Sequence, residues 1–181
     1  MPNLKNVVHG LPINGYLDGK PCIEYFKGGS ILASYFYTLP GSNKLGKDVE
    51  KAINLVGKNE YFMLDNGAFS AWKAGTDIFE DDEYLDGFYK WASDIMARCP
   101  EALVIIPDRI GGTVEENIKL ARESGFYGDP RAVYVWHLDE PLDYLCWIAE
   151  NSNHIAFGSS GEYGSAVGPG WEARIKEALA A

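Results

Sequence analysis

The segment Ala102-Leu103-Val104-Ile105-Ile106-Pro107-Asp108-Arg109-Ile110-Gly111-Gly112-Thr113 sets the reading of the whole chain. Its unbroken apolar run, ending in three β-branched residues, suits a strand covered on both faces, because a half-solvated strand would alternate. Pro107 stops the run, and a carboxylate and a guanidinium follow at its carboxyl end. Gly111-Gly112 then turns into Thr113, which with Glu116 forms a capping-box pattern for a helix to about Ser124. A buried strand, a polar loop and a capped helix make one β–α unit.

The same grammar recurs on both sides. Ile31-Leu32-Ala33-Ser34-Tyr35-Phe36-Tyr37 reads as a strand broken at Pro40-Gly41, before a helix with Leu45, Val49, Ala52, Ile53 and Val56 on one face. Tyr61-Phe62-Met63-Leu64 ends at Asp65-Asn66-Gly67 and precedes a helix through Tyr84, Leu85, Phe88, Trp91, Ala92 and Ile95. Ala132-Val133-Tyr134-Val135-Trp136 ends at His137-Leu138-Asp139, and Pro141 suits the first turn of the next helix. His154-Ile155-Ala156-Phe157 ends at Gly158-Ser159-Ser160-Gly161-Glu162, with a last helix from about Trp171. Five units in series predict an α/β chain of parallel strands with helices outside them, one domain over residues 1–181. The Gly/Pro-rich first thirty residues are expected to add a short strand or a lid.

Composition bounds the function. With 46% apolar and 23% charged residues, the 181-residue chain is neither disordered nor fibrous. No apolar run is long enough to cross a membrane and the start lacks a secretory signal, so a cytoplasmic protein is expected. Cys22, Cys99 and Cys146 are odd in number and far apart, which predicts reduced thiols and no cysteine-based zinc site. Sixteen basic against 26 acidic residues give a net charge of −10, which repels bare phosphate backbone on average. A nucleic-acid role must therefore rest on local positive groups. The acidic cluster Asp77, Glu80, Asp81, Asp82, Glu83 and Asp86 reads as a solvated helix start.

Asp65, Asp108, His137 and Glu162 all fall at or just after strand carboxyl ends, the edge at which α/β folds bind ligands. In Asp65-Asn66-Gly67-Ala68-Phe69-Ser70 the carboxylate offers an acceptor or base, the small residues allow close backbone approach, and Phe69 a stacking face. A plain βα turn with Ser70 as a helix cap accounts for it equally well. Asp108 could read a base edge while Arg109 holds a phosphate; an Asp–Arg ion pair closing a loop is the simpler account. His137 offers acid/base or hydrogen-bonding chemistry, with Asp139 or Glu140 capping the next helix as the plain alternative. The backbone of Gly158-Ser159-Ser160-Gly161 could hold a carbonyl or phosphate oxygen with Glu162 turned inward, or simply connect a strand to a helix. Phe69, Trp72 and Tyr163 are candidates for stacking a planar ligand, whereas Trp91, Trp147 and Phe157 read as core. No histidine spacing supports a metal, and no cofactor is indicated.

As a set, these motifs resemble a known family. Leu64-Asp65-Asn66-Gly67-Ala68-Phe69-Ser70 resembles the Asp-Ser-Gly-Gly-Phe-Gln turn of tRNA-guanine transglycosylases, and more closely the Asp-Ser-Gly-Ala-Phe-Ser turn of phage-borne DNA 7-deazaguanine transglycosylase-like proteins. The Pro107-Asp108 strand is similar to the family's second base-recognising aspartate strand, and His137 stands where the family sets a polar side chain against the base. Ala156-Phe157-Gly158-Ser159-Ser160-Gly161-Glu162 resembles its glycine loop ending in glutamate, so that the likeness runs from about residue 31 to 165. The resemblance implies a (β/α)8 barrel and a pentosyltransferase that exchanges a purine for a 7-deazaguanine, the queuosine type of chemistry, in DNA ahead of tRNA. It implies Asp65 as base-side acid/base and Asp108 on the purine edge. Asn66, Gly67, Phe69, Ser70, Arg109, His137 and the Gly158–Glu162 loop would serve as binding groups. The implied partners are nucleic acid and a free purine or deazapurine.

Five or six of the eight units are visible, and the family's nucleophilic aspartate, which lies beyond the glycine–glutamate loop, has no counterpart before Ala181. The family's cysteine-rich zinc site is also absent from the sequence. A truncated frame, a shortened relative and an inactive remnant all fit, and open sheet edges would invite a homodimer. Two other functions fit the same residues: a non-catalytic purine or nucleic-acid binder, and an N-glycosidase or glycoside hydrolase using paired carboxylates among Asp65, Asp108 and Glu162.

Overall fold

A computed structural model of the chain describes residues 8–11, 16–39, 46–56, 60–158, 163 and 169–181. The chain is an α/β fold of parallel strands and helices, as the alternating pattern predicts, and it divides into two compact units, Met1–Val104 and Ile105–Ala181.

In the first unit four strands lie side by side and all run parallel. These are β1 (Val8–Gly10), β4 (Ser30–Ser34), β5 (Phe62–Asp65) and β6 (Ala102–Ile105). β1 is the short extra strand expected near the start. Between β1 and β4 sits a small antiparallel hairpin, β2 (Tyr16–Leu17) and β3 (Lys20–Pro21). Its Asp18-Gly19 loop has both residues at positive φ, +50° and +77°, the geometry that matches the twist of paired strands. Ile31, Ala33, Phe62, Leu64, Ala102 and Val104 are fully buried at the heart of this sheet.

The helices of this unit are α1 (Gly46–Leu55), the short α2 (Ala68–Lys73) and α3 (Asp82–Arg98). The acidic cluster is what starts the last one. Asp81 accepts the Tyr84 amide as N-cap and Asp77 caps the preceding 3-10 turn, while Asp82 and Glu83 fill the first turn of the helix. Phe88, Ala92, Ile95 and Met96 form its buried stripe.

The second unit holds β7 (Ala132–His137) parallel to β8 (His154–Gly158), with α4 (Val114–Glu123), α5 (Leu142–Asn151) and α6 (Pro169–Ala178). The capping box is present in full. Thr113 Oγ1 accepts the Glu116 amide at 3.2 Å, and Glu116 accepts the Thr113 amide at 2.7 Å. The Ile106 amide donates to the Val133 carbonyl at 2.9 Å, which draws the 106–109 segment alongside β7. Trp136 and Tyr134 are buried as expected, but Phe157 is 41% exposed. Its ring stands edge-on to Trp136, and no residue of the run at 154–157 is fully buried, so that run is not covered on both faces. No helix among the described residues is long and apolar enough to cross a membrane.

Candidate functional site

Two loops at strand carboxyl ends carry the polar residues, one in each unit. In the first unit, β5 delivers Asp65 and the chain turns sharply at Asn66 and Gly67 into α2. Gly67 has φ +86°, and a Cβ there would lie 2.6 Å from Phe36 Cβ and 2.9 Å from the Tyr84 hydroxyl. Only glycine fits, both for backbone conformation and for space. Asp65 Oδ2 accepts the Gly67 amide at 3.1 Å, and the buried Asn66 accepts the Ala68 amide at 2.7 Å. The Tyr84 hydroxyl donates to the Asn66 carbonyl at 2.7 Å. Burial, with the nearby Asp65 charge, raises the Tyr84 phenol far above its ordinary value, so it remains a donor. Ser34 pairs with Asp65 across the β4–β5 ladder, and its buried hydroxyl has no hydrogen-bond partner among the described residues.

Ser70 lies inside α2 and is not its cap; Gly67 holds that position. Phe69 and Trp72 stand exposed on this short helix, their rings 6.0 Å apart and tilted by 32°. The stacking faces foreseen for both are open to solvent.

In the second unit the arrangement is tighter. Asp108 Oδ2 and His137 Nε2 are 2.6 Å apart, with both side chains only 12% exposed. An ionised carboxylate can only accept, so the imidazole carries its proton on Nε2 toward Asp108. Asp108 thus pairs with His137, and the Asp108–Arg109 loop-closing pair is not what forms. Arg109 is instead held by its backbone: Asn117 Oδ1 accepts its amide at 2.7 Å.

Glu140 braces the histidine from behind. It accepts the His137 amide at 2.6 Å through Oε2, while Asn117 Nδ2 donates to Oε1 at 3.2 Å. Glu140 is therefore no helix cap; Pro141 occupies that position on α5, without a side-chain bond. Asn117 is the member of this network that pattern reading passes over, and Glu140 reads from sequence only as a cap. Asn117 sits on the buried face of α4, where a polar residue breaks the apolar stripe, and that is the signal that marks it.

The electrostatics follow from this packing. Burial pushes the His137 imidazole down, but the hydrogen bond and charge of Asp108, backed by Glu140 and Asp139, outweigh it and leave the group above its ordinary 6.5. Glu140 is raised above its ordinary 4.5, first by burial. The second ring nitrogen of His137, Nδ1, is buried and has no hydrogen-bond partner among the described residues. It faces Gly158, its register partner on β8, and a Cβ at that position would collide with Nδ1 and come within 2.7 Å of Cε1.

No protein-family model matches the chain, nor does any curated protein or solved structure. The site is read on its own chemistry.

Asp108, His137 and Gly158 are brought together, with Arg109 adjoining through its backbone; Asp65, Asn66 and Gly67 form the other loop, with Phe69 and Ser70 on the helix it opens. Ser159, Ser160, Gly161 and Glu162 lie outside the described residues. A cleft of about 360 Å³ opens beside His137 and Glu140, walled by Gly111, Gly112 and Thr113. Among the described residues no group of three or more His, Cys, Asp or Glu side chains could hold a metal ion. The arrangement can accept a hydrogen bond at Asp108. At His137 Nδ1 it can donate when the ring is an imidazolium and accept when it is neutral.

Proposed function

We propose that the chain recognises a guanine-type heterocycle and takes part in exchanging a purine for a 7-deazaguanine at an N-glycosidic bond of nucleic acid, in DNA ahead of tRNA. The observation that carries this reading is the buried Asp108–His137 pair beside Gly158, with Nδ1 unpartnered. A guanine ring offers donors at N1–H and its 2-amine and acceptors at O6 and N7. A carboxylate meets the donors and an imidazolium N–H meets an acceptor, while the absent Cβ at Gly158 is what lets the imidazole pack against β8 in this position.

Asp65 is the acid/base in this reading, since the departing guanine needs a proton and the sugar centre left behind is cation-like. The exposed Phe69–Trp72 pair would stack a base. The motif resemblance supports the same assignment and extends it to a (β/α)8 architecture, with a nucleophile that is not assigned among these residues. The partners in this reading are a nucleic-acid strand, a free deazapurine and a second copy of the chain.

The test is a base-exchange assay on the folded chain. Duplex DNA, single-stranded DNA and tRNA are each incubated with labelled guanine and 7-deazaguanines, beside Asp65→Asn and Asp108→Asn. Label that enters the polymer and is lost in either variant supports the reading. Guanine binding abolished by Asp108→Asn, without incorporation, reduces it to base recognition, and release of free base without incorporation makes it a hydrolase. A folded chain that neither binds nor incorporates the base overturns it.

A further inference from the structure

A second cleft, of about 590 Å³, lies within the first unit between the β2–β3 hairpin, the 3-10 turn Cys22–Phe26 and the end of α1. Its volume falls in the range of small-molecule sites. Lys20, Lys27 and Lys51 line it, one from each of three separate segments, against a single carboxylate, Glu24. In a chain of net charge −10 this is a local reversal of sign. Lys20 and Lys27 form no ion pair among the described residues. Lys20 and Lys27 thus bring like charge to the lining of one space, and an anion bearing two charges would compensate both.

The rest of the lining is not that of a bare anion site. Ile23, only 2% exposed, forms an apolar floor with Leu55, and the half-exposed Tyr25 ring adds a flat wall. The frame is tied in two places. The Tyr25 hydroxyl donates to the Leu17 carbonyl at 2.8 Å, latching the hairpin to the turn. The Gly28 amide donates to the Leu55 carbonyl at 2.7 Å, latching the turn to α1. The lysines are thus carried on segments whose backbones are held relative to one another.

We propose that this cleft binds a mononucleotide-class phosphate monoester, with its phosphoryl group among Lys20, Lys27 and Lys51 and its ring over Ile23 beside Tyr25. The assignment is independent of the base-exchange reading.

Calorimetric titration of the full chain at low ionic strength tests it, with adenosine 5′-monophosphate, adenosine and inorganic pyrophosphate as probes. An adenine ligand avoids the guanine chemistry proposed for Asp108. The monophosphate is expected to bind at least about tenfold more tightly than adenosine, and more weakly as salt is added. Lys20→Ala and Lys27→Ala should each weaken it about three- to tenfold, and Lys27→Glu should abolish it. Lys90→Ala on α3 and Asp108→Asn should leave it unchanged. Equal affinity for adenosine, indifference to the cleft lysines, or pyrophosphate binding as tight as the monophosphate would overturn the proposal. So would retention of a single-stranded oligonucleotide with no mononucleotide binding. Circular dichroism of each variant separates a lost site from a lost fold.

Discussion

Asp108 and His137, 29 residues apart in sequence, meet at 2.6 Å through Oδ2 and Nε2 at the carboxyl end of a parallel strand. The pair sets the charge of the imidazole and so determines what its buried Nδ1 can offer a ligand.

The first prediction concerns that charge. Burial is the largest influence on His137 and acts downward, so removing the carboxylate should let it prevail. In wild type the imidazole should titrate above 6.5 by NMR, and in Asp108→Asn below it. Stability follows with a definite sign. A histidine raised on folding stabilises fully below its unfolded value, and that contribution is lost as pH rises through the folded value. Urea melts should therefore show stability falling as pH climbs from 6.5 through the raised midpoint, a step that His137→Gln lacks. Glu140, also raised, contributes a similar decline that begins lower, from 4.5, and survives in His137→Gln.

Gly158→Ala should displace the imidazole. The added methyl meets the His137 ring, and the parallel register leaves the β8 backbone little room to retreat. A loss of about 1–3 kcal/mol is expected, with a shifted His137 titration. Gly125→Ala, where a Cβ has nothing within 4 Å, should cost far less.

Gly67→Ala combines two penalties, a φ of +86° and a contact of 2.6 Å with Phe36 Cβ. Gly111→Ala carries the first penalty alone, with φ +75° and open space. Thermal melts should show roughly 1 kcal/mol lost for Gly111→Ala and clearly more, about 3 kcal/mol, for Gly67→Ala.

Asn117→Ala removes an acceptor from the Arg109 amide and a donor from Glu140 at once. Leaving both groups unmet in a buried setting should cost about 2–3 kcal/mol by chemical denaturation. The Glu140 carboxyl, deprived of a donor that favours its charged form, should titrate higher still.

Much of the framework was legible in the residues. Apolar runs of four to seven residues, each followed by an amphipathic segment, became β4 to β8, although the first overran its strand: Tyr35, Phe36 and Tyr37 leave β4 and form a 3-10 turn. Thr113-Val114-Glu115-Glu116 announced its helix through a purely local bond pattern. Asp18-Gly19 carried an equally local hairpin signal that pattern reading left within an unassigned stretch, because the paired strands are only two residues each. Phe157 misled for a different reason. Burial depends on what covers a strand, and an apolar letter does not report its neighbours.

Within the candidate site, the chemistry-bearing residue types could be named from sequence, while their pairing could not. Asp108 is next to Arg109 in the chain, and adjacency suggested that ion pair. The β7–β8 register and the backbone bond from Ile106 to Val133 set the carboxylate against His137 instead. Asn117 and Glu140 became a brace only when α4 and β7 were packed together.

By itself, the amino-acid sequence determined the succession of strands and helices, the caps that start them and the strand ends that carry polar groups. Those features depend on contacts between residues a few positions apart, and such contacts are written in local order. Only the tertiary structure decided that Asp108 meets His137, that Gly158 admits the imidazole with its Nδ1 buried, and that three lysines line one cleft. Those relations span tens of residues, and they are settled by strand register and packing, where a shift of one residue would turn each side chain to the opposite face.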